Sequence, residues 1–341
     1  MSIFKENKSY RPFTYPWAVA AAQEHSIDMY WDIHQIEMQD DLRQYNSQGG
    51  LATRDISHEE NKFIIDSTLC LFTEMDRVVG EGYTKIIPFI RNNEIRNLLL
   101  TEAQREVVHQ RAYALGAETF GFEDSAWTSL SEYKEMVDKL DLMTKKWYPE
   151  DCRMELEVAI NLSQILLGEG IGLYAAFANL LNFKRFGKLV GFNDINQWSL
   201  VDEQFHVSNN IKILREIQRE LTEVENGELE RVIKLMIDAY VEAEHKYIDL
   251  VYQHSNQQDM TKEDLKGYII YLGEFREYQL GLRKFNEVRK NPLPWMEWLL
   301  SGEKHDNFFE KKVTDYVHGS LRGKVNYEKY QRILKEEATY V

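Results

Sequence analysis

Residues 105–113 read REVVHQRAY, and the setting of that stretch decides the fold. It belongs to a longer run with helical period, in which Leu99, Ala103, Glu106, His109, Tyr113 and Ala117 recur three or four residues apart and so share one face. Leu99, Ala103 and Ala117 mark the face as apolar, yet Glu106 and His109 stand in the middle of it. An ionised carboxylate is expensive to bury unless it is paired or holds a metal. A carboxylate and an imidazole at i, i+3 can reach one ion from one helix.

Outward along the chain the pattern returns. A later helical face carries Leu200, Glu203, His206 and Val207, with a second Glu-x-x-His at 203–206. Each of these motifs is preceded by a stretch with one carboxylate among apolar neighbours. Asp76 follows Leu69, Phe72 and Thr73; Glu169 lies among Leu162, Ile165, Leu166, Leu173, Ala176 and Phe177. The separations, 30 residues from Asp76 to Glu106 and 34 from Glu169 to Glu203, suit one helix, a turn and the return of the next. A carboxylate helix followed by a Glu-x-x-His helix, twice over, supplies four carboxylates and two histidines. That is the donor set of a two-metal site inside a ferritin-like four-helix bundle. Oxygen ligands with imidazole suit iron or manganese. A third match, Glu242 to His245, lies in the charged run EAEHK without a carboxylate on an apolar face upstream, and reads as solvated helix surface. His25, His34, His58, His254, His305 and His318 read as surface or satisfied core residues.

The rest of the chain agrees with an all-α fold. Helices are expected at about 17–31, 59–80, 94–120, 125–145, 151–185, 193–222, 228–256 and 261–289, with a polar loop at 46–50 and turns at Asn226-Gly227 and Asn291-Pro292. Strand signals are weak. No linker divides the chain, so one domain is expected, with the charged segment from Ser320 onward as a final helix or a tail. The net charge of −15 argues against nucleic acid and anionic membrane surfaces as partners. No run is read as approaching the ~20 apolar residues of a membrane span, and the N-terminus lacks an apolar leader. Cys70 and Cys152 are too few for a disulfide framework or a thiolate zinc site, which fits a cytoplasmic protein.

Four segments in order, FTEMD at 72–76, REVVHQRAY at 105–113, LGEGIGLYAAFA at 167–178 and QWSLVDEQFH at 197–206, give the chain a family likeness. From about Tyr15 to about Tyr316 it resembles the small, radical-generating subunit of class I ribonucleotide reductase. The resemblance implies a ferritin-like helical bundle with additional helices, a homodimer, and two metal ions per chain, iron foremost, with manganese or a mixed pair as alternatives. It implies metal ligation by Asp76, Glu106, His109, Glu169, Glu203 and His206, the six residues already picked out by their helical faces. It further implies a stored radical at Tyr113, which as a bare residue would read as a core tyrosine. It makes Asp202 the acceptor for the outer N–H of His109, and Trp31, in MYWDIHQIEM, the next member of a relay; taken alone these would read as a surface acid and a packing residue. The partner implied is a large (alpha) subunit that reduces ribonucleotides to deoxyribonucleotides for DNA replication. The expected division is a dimetal domain over 1–318 and a docking tail over 319–341, where Tyr327, Tyr330 and Tyr340 compete for the last relay position. Val201 stands where relatives often carry arginine, so the hydrogen bonding around Asp202 does not carry over. Two other readings of the same ligands are an oxidase or oxygenase of a bound small molecule, and an iron store without catalysis.

Overall fold

The computed structural model describes residues 2–54 and 56–299, with the side chain of Ala126 left aside. The expected tail, with Tyr327, Tyr330 and Tyr340, lies outside the described residues, as do Tyr316, His305 and His318.

Helices make up the architecture, and among the described residues the only β pairing is two isolated bridges, Thr53 with Ile56 and Gln257 with Met260. The chain opens with α1 (Pro16–Gln23), a π-helical turn (Glu24–Asp28) and α2 (Gln39–Asn46). Two long helices follow, α3 (His58–Ile86) and α4 (Asn93–Phe120). Ser57 and Glu60 close a reciprocal capping box at the start of α3. Asn92 caps α4 by accepting from the amides of Glu94 and Ile95, and Gly121, at φ 78°, ends it in the left-handed region that glycine adopts freely. The two helices run antiparallel, since Phe72 stacks on Tyr113 while Gly80 faces Glu106.

The segment read as one helix over 125–145 is two, α5 (Asp124–Ser131) and α6 (Lys134–Thr144). The segment read as one over 151–185 is also interrupted: α7 (Met154–Leu167), a π-helical turn (Gly168–Gly172) and α8 (Tyr174–Arg185). The glycines of that turn are required by close packing. A Cβ on Gly168 would lie 2.4 Å from Met143 Sδ, and one on Gly170 would lie 2.7 Å from Arg276 Nε. Arg276 Nε also donates to the Gly170 carbonyl at 3.0 Å, satisfying a group that the bulge releases from the helical ladder. Next come α9 (Val190–Gln218), α10 (Glu223–Val251) and α11 (Lys262–Gln279).

Three expectations are corrected here. Asn226-Gly227 is no turn: it lies inside α10, which Thr222 and Glu225 open with a capping box four residues earlier than Asn226. The helix α2 was not anticipated, because its polar sequence QDDLRQYN offers little apolar period; it is held by Asp41, whose carboxylate accepts from the Phe192 amide at 2.5 Å. Residues 154–185 are long and apolar enough to cross a membrane by length and composition, contrary to the sequence reading. Their apolar window is wholly buried inside the bundle, as befits a helix surrounded by α3, α9, α10 and α11.

Candidate metal centre

Helices α3, α4, α9 and the α7–α8 segment each turn one or two polar side chains toward a common centre. Asp76 comes from α3, Glu106 and His109 from α4, Glu169 from the π-helical turn, and Glu203 and His206 from α9. All six are at most 1% exposed. They form two groups with converging ligand atoms, Asp76, Glu106, His109 and Glu203 in one, and Glu106, Glu169, Glu203 and His206 in the other. Glu106 and Glu203 belong to both, and each turns one oxygen to each side. Glu203 Oε1 is 3.0 Å from His109 Nδ1 and its Oε2 is 3.2 Å from His206 Nδ1. Glu106 Oε2 is 3.7 Å from His109 Nδ1 and its Oε1 is 3.3 Å from His206 Nδ1.

These approaches are not directed hydrogen bonds. One oxygen of Asp76, both of Glu106, one of Glu169, both of Glu203 and the Nδ1 atoms of both histidines are buried without a hydrogen-bond partner. Buried polar atoms in native proteins are nearly always satisfied, and a converging set that is not points to a missing cation. Two groups sharing two bridging carboxylates fit two ions, and the cluster is capable of holding a dimetal centre. Without ions, protons take up part of the charge. Burial, then the charge of Glu106, holds the Asp76 carboxyl well above its usual range, and burial pushes Glu169 to about 8. Burial alone would lower the two imidazoles, but the surrounding carboxylates outweigh it and raise both.

Around the centre lie two polar layers. On the Asp76–His109 side, Tyr113 is fully buried, donates its hydroxyl to Asn196 Oδ1 at 3.2 Å and stacks on Phe72 at 4.4 Å between centroids. On the Glu169–His206 side, Tyr83 donates to Glu169 Oε1 at 2.9 Å and accepts from Asn210 Nδ2 at 3.1 Å.

Asp202 lies behind His109. Its Oδ2 faces His109 Nε2 at 3.0 Å, Trp31 Nε1 at 2.8 Å and Arg105 Nε at 2.9 Å. Burial would raise the Asp202 carboxyl, but hydrogen bonds from His109 and His25 and the charge of Arg105 hold it far below the usual range. Trp31 stacks nearly parallel on His109, with centroids 5.8 Å apart.

Two residues of this network escaped the sequence reading. Arg105 supplies the guanidinium that Val201 cannot, and it comes from a different helix. The one sequence signal was its place beside Glu106. His25, expected to be unremarkable, is 2% exposed, reaches His206 Nε2 at 3.2 Å and stacks on Phe205. It sits in the π-helical turn after α1, whose register no simple period foretells. Burial is the main reason its imidazole falls to about 4, so it stands neutral behind His206, with its Nε2 between His206 Nε2 and, at 3.6 Å, Asp202 Oδ1.

The third Glu-x-x-His is corrected too. Glu242 is exposed and pairs with Lys246, but Glu244 is buried and forms an ion pair with the buried Lys139. His245 points to the Lys266 carbonyl at 3.1 Å, so this motif gathers no second ligand set.

The family model described as ribonucleotide reductase, small chain, matches residues 7–292. Among curated relatives, a probable ribonucleoside-diphosphate reductase small subunit of Invertebrate iridescent virus 3 is 27% identical over 339 residues, covering 95% of this chain and 88% of that one. Among solved structures, the ribonucleotide reductase R2 subunit from Clostridium botulinum superposes with a TM-score of 0.76 at 20% identity, over 88% of this chain and 94% of that one. The dimanganese(II)-NrdF of Streptococcus sanguinis superposes with a TM-score of 0.69 at 16% identity, over 85% of this chain and 99% of that one. These structural likenesses establish the ferritin-like helical fold.

Proposed function

The chain belongs to the ribonucleotide reductase small-chain family, and from that premise we propose that it is the radical-generating subunit of a class I ribonucleoside-diphosphate reductase. It works with a separate large subunit that binds the ribonucleotide and replaces the 2′-hydroxyl with hydrogen. The observation that carries this reading is the juxtaposition of a dimetal-competent cluster with a fully buried tyrosine and with a Trp31–Asp202–His109 chain.

Asp76 and His109 would hold one ion, Glu169 and His206 the other, with Glu106 and Glu203 shared. When bound, the metal pair supplies the oxidising power, drawn from oxygen or a reduced oxygen species. Iron is the first candidate, and manganese accepts the same ligands, as in the dimanganese protein named above. Tyr113 is the site proposed to store the oxidising equivalent. Phe72 and Phe192 pack against its ring, with Phe177 against Phe72, and exclude water and reductants, while Asn196 holds its hydroxyl at a fixed orientation. The charges of Asp76, Glu203 and Glu106 all act on this phenol, and that proximity supports storage on the chain over oxidation of a bound small molecule.

Asp202 orients His109 so that Nδ1 points at the carboxylates, and its second role is to join that ring to the indole of Trp31. Arg105 adds to the hydrogen bond from His109 in keeping Asp202 ionised and also donates to the Met29 carbonyl at 2.9 Å, pinning the segment that carries Trp31. Trp31, at 5% exposure just under the surface, is the outward member of the proposed relay. A homodimer, a cytoplasmic setting, the division at about 318 and a tail tyrosine as the last carrier complete the reading.

Low-temperature EPR after metal reconstitution and oxygen exposure tests it. A tyrosyl doublet that disappears in Tyr113→Phe together with reductase turnover is expected. A multiline metal signal with unchanged turnover in that variant would place the oxidant on the metals instead.

A further inference from the structure

Glu102 is a core carboxylate that the six-residue site does not use. It lies four residues before Glu106 and seven before His109, on the same face of α4. It is fully buried, and apart from the approach of the Tyr83 hydroxyl neither of its oxygens has a hydrogen-bond partner. No lysine or arginine forms an ion pair with it among the described residues. The charged groups that act on it most strongly are His206, Glu169 and Glu106, and the phenol of Tyr83 lies on the same side. Glu102 therefore belongs to the layer of Tyr83 and Asn210, below the Glu169–His206 half of the cluster and opposite Tyr113.

Charge bookkeeping sharpens the oddity. Two dications neutralise Asp76, Glu106, Glu169 and Glu203. Arg105 neutralises Asp202. Glu102 is left over, and an uncompensated buried carboxylate costs several kcal/mol. Once His206 is a neutral metal ligand, no cation other than an ion in the cluster is among the groups that act on it. We infer that Glu102 is a fifth carboxylate of the metal centre, supporting the ion position formed by Glu106, Glu169, Glu203 and His206. The inference rests on the metal-centre reading above and deepens it. It makes the two ion positions unequal: the Glu169–His206 position draws on one more negative charge than the Asp76–His109 position.

Titration of the metal-free, full-length chain with Mn²⁺ alone tests this, with bound ions counted by calorimetry and by the EPR signal of free Mn²⁺. The unsubstituted chain takes up two ions. Glu102→Gln keeps one at unchanged affinity and loses about tenfold or more at the other, the size expected when a supporting group of a metal site is removed. The metal-free variant melts no lower than the metal-free parent, because glutamine replaces a buried carboxyl of the same shape that burial keeps protonated, so weaker binding cannot be blamed on a damaged fold. Glu102→Met, uncharged and of similar volume, gives the same loss. Two ions at parental affinities in either folded variant would overturn the inference and make Glu102 a spectator acid that keeps its proton. No Mn²⁺ binding by the unsubstituted chain would instead defeat the metal-centre reading itself, and this inference with it.

Discussion

Helices α9 and α10 each bury a glutamate in a Glu-x-x-His motif, and the two glutamates meet opposite company. Glu244 on α10 finds Lys139 from α6, whose ammonium also lies over the Tyr247 ring at 4.3 Å. The chain has supplied its own cation, and the carboxylate is structural. Glu203 on α9 meets three more carboxylates and two imidazoles, with no lysine or arginine in the set. There the cation must come from outside. The Glu-x-x-His spacing recurs on α10 as Glu242 and His245, but there Glu242 is exposed and pairs with Lys246, while the buried Glu244 next to His245 already has its own cation, so spacing alone does not make a metal site.

Breaking the α9 side has the largest expected effect. Glu203→Ala removes a carboxylate shared by both ion positions, so metal content after reconstitution falls below two per chain and ribonucleotide reduction with the large subunit disappears. Turnover at the parental level in that variant would show that the cluster is not the working site.

The α10 side breaks differently. Lys139→Met leaves Glu244 as a lone buried charge and costs about 3–5 kcal/mol in urea unfolding. Metal uptake stays at two ions. Adding Glu244→Leu restores most of the loss, since two apolar groups replace the pair without an orphan. A double variant as unstable as the single one would mean that Lys139 matters through its packing.

A chelator separates the regions a third way. Loaded protein gains about 2.7 kcal/mol per ion when free metal is a hundredfold above its dissociation constant, and chelation returns that amount. The Lys139–Glu244 pair contributes the same in both states, so Lys139→Met should lower the melting temperatures of metal-free and loaded protein alike.

The smallest effect is on pH. Glu169 is raised to about 8 by burial, and the carboxylates lift both imidazoles, so ions must displace protons from the cluster. These groups favour the protonated, metal-free state as pH falls. Affinity therefore drops below about pH 8, by up to about tenfold per pH unit for each proton released, a slope that Mn²⁺ titrations at several pH values would measure. A flat profile between pH 6 and 8 would contradict the proton-filled cluster.

The sequence carried much of this. Polar residues at three- and four-residue spacing inside apolar faces picked out all six cluster residues, and the long helices α3, α4 and α9 follow from the same periodicity, as does the α7–α8 segment apart from its interruption. What escaped it depends on three-dimensional company. His25 sits in a π-helical turn, Arg105 reaches Asp202 from another helix, and Glu244 owes its burial to a lysine far away in sequence. The break between α5 and α6 and the bulge at Gly168–Gly172 are set by packing against neighbours, and the glycines hint only at the second. Glu102 was missed because the face was drawn through Ala103, its immediate neighbour.

Anomalous diffraction from crystals of the full chain loaded with manganese, recorded on both sides of the manganese absorption edge, tests the central claim most directly. The account predicts two peaks per chain, one touching Asp76 and His109, the other Glu169 and His206, with Glu106 and Glu203 between them. A centre without anomalous signal in crystals whose manganese content is established, or ions bound only at surface carboxylates, would contradict it.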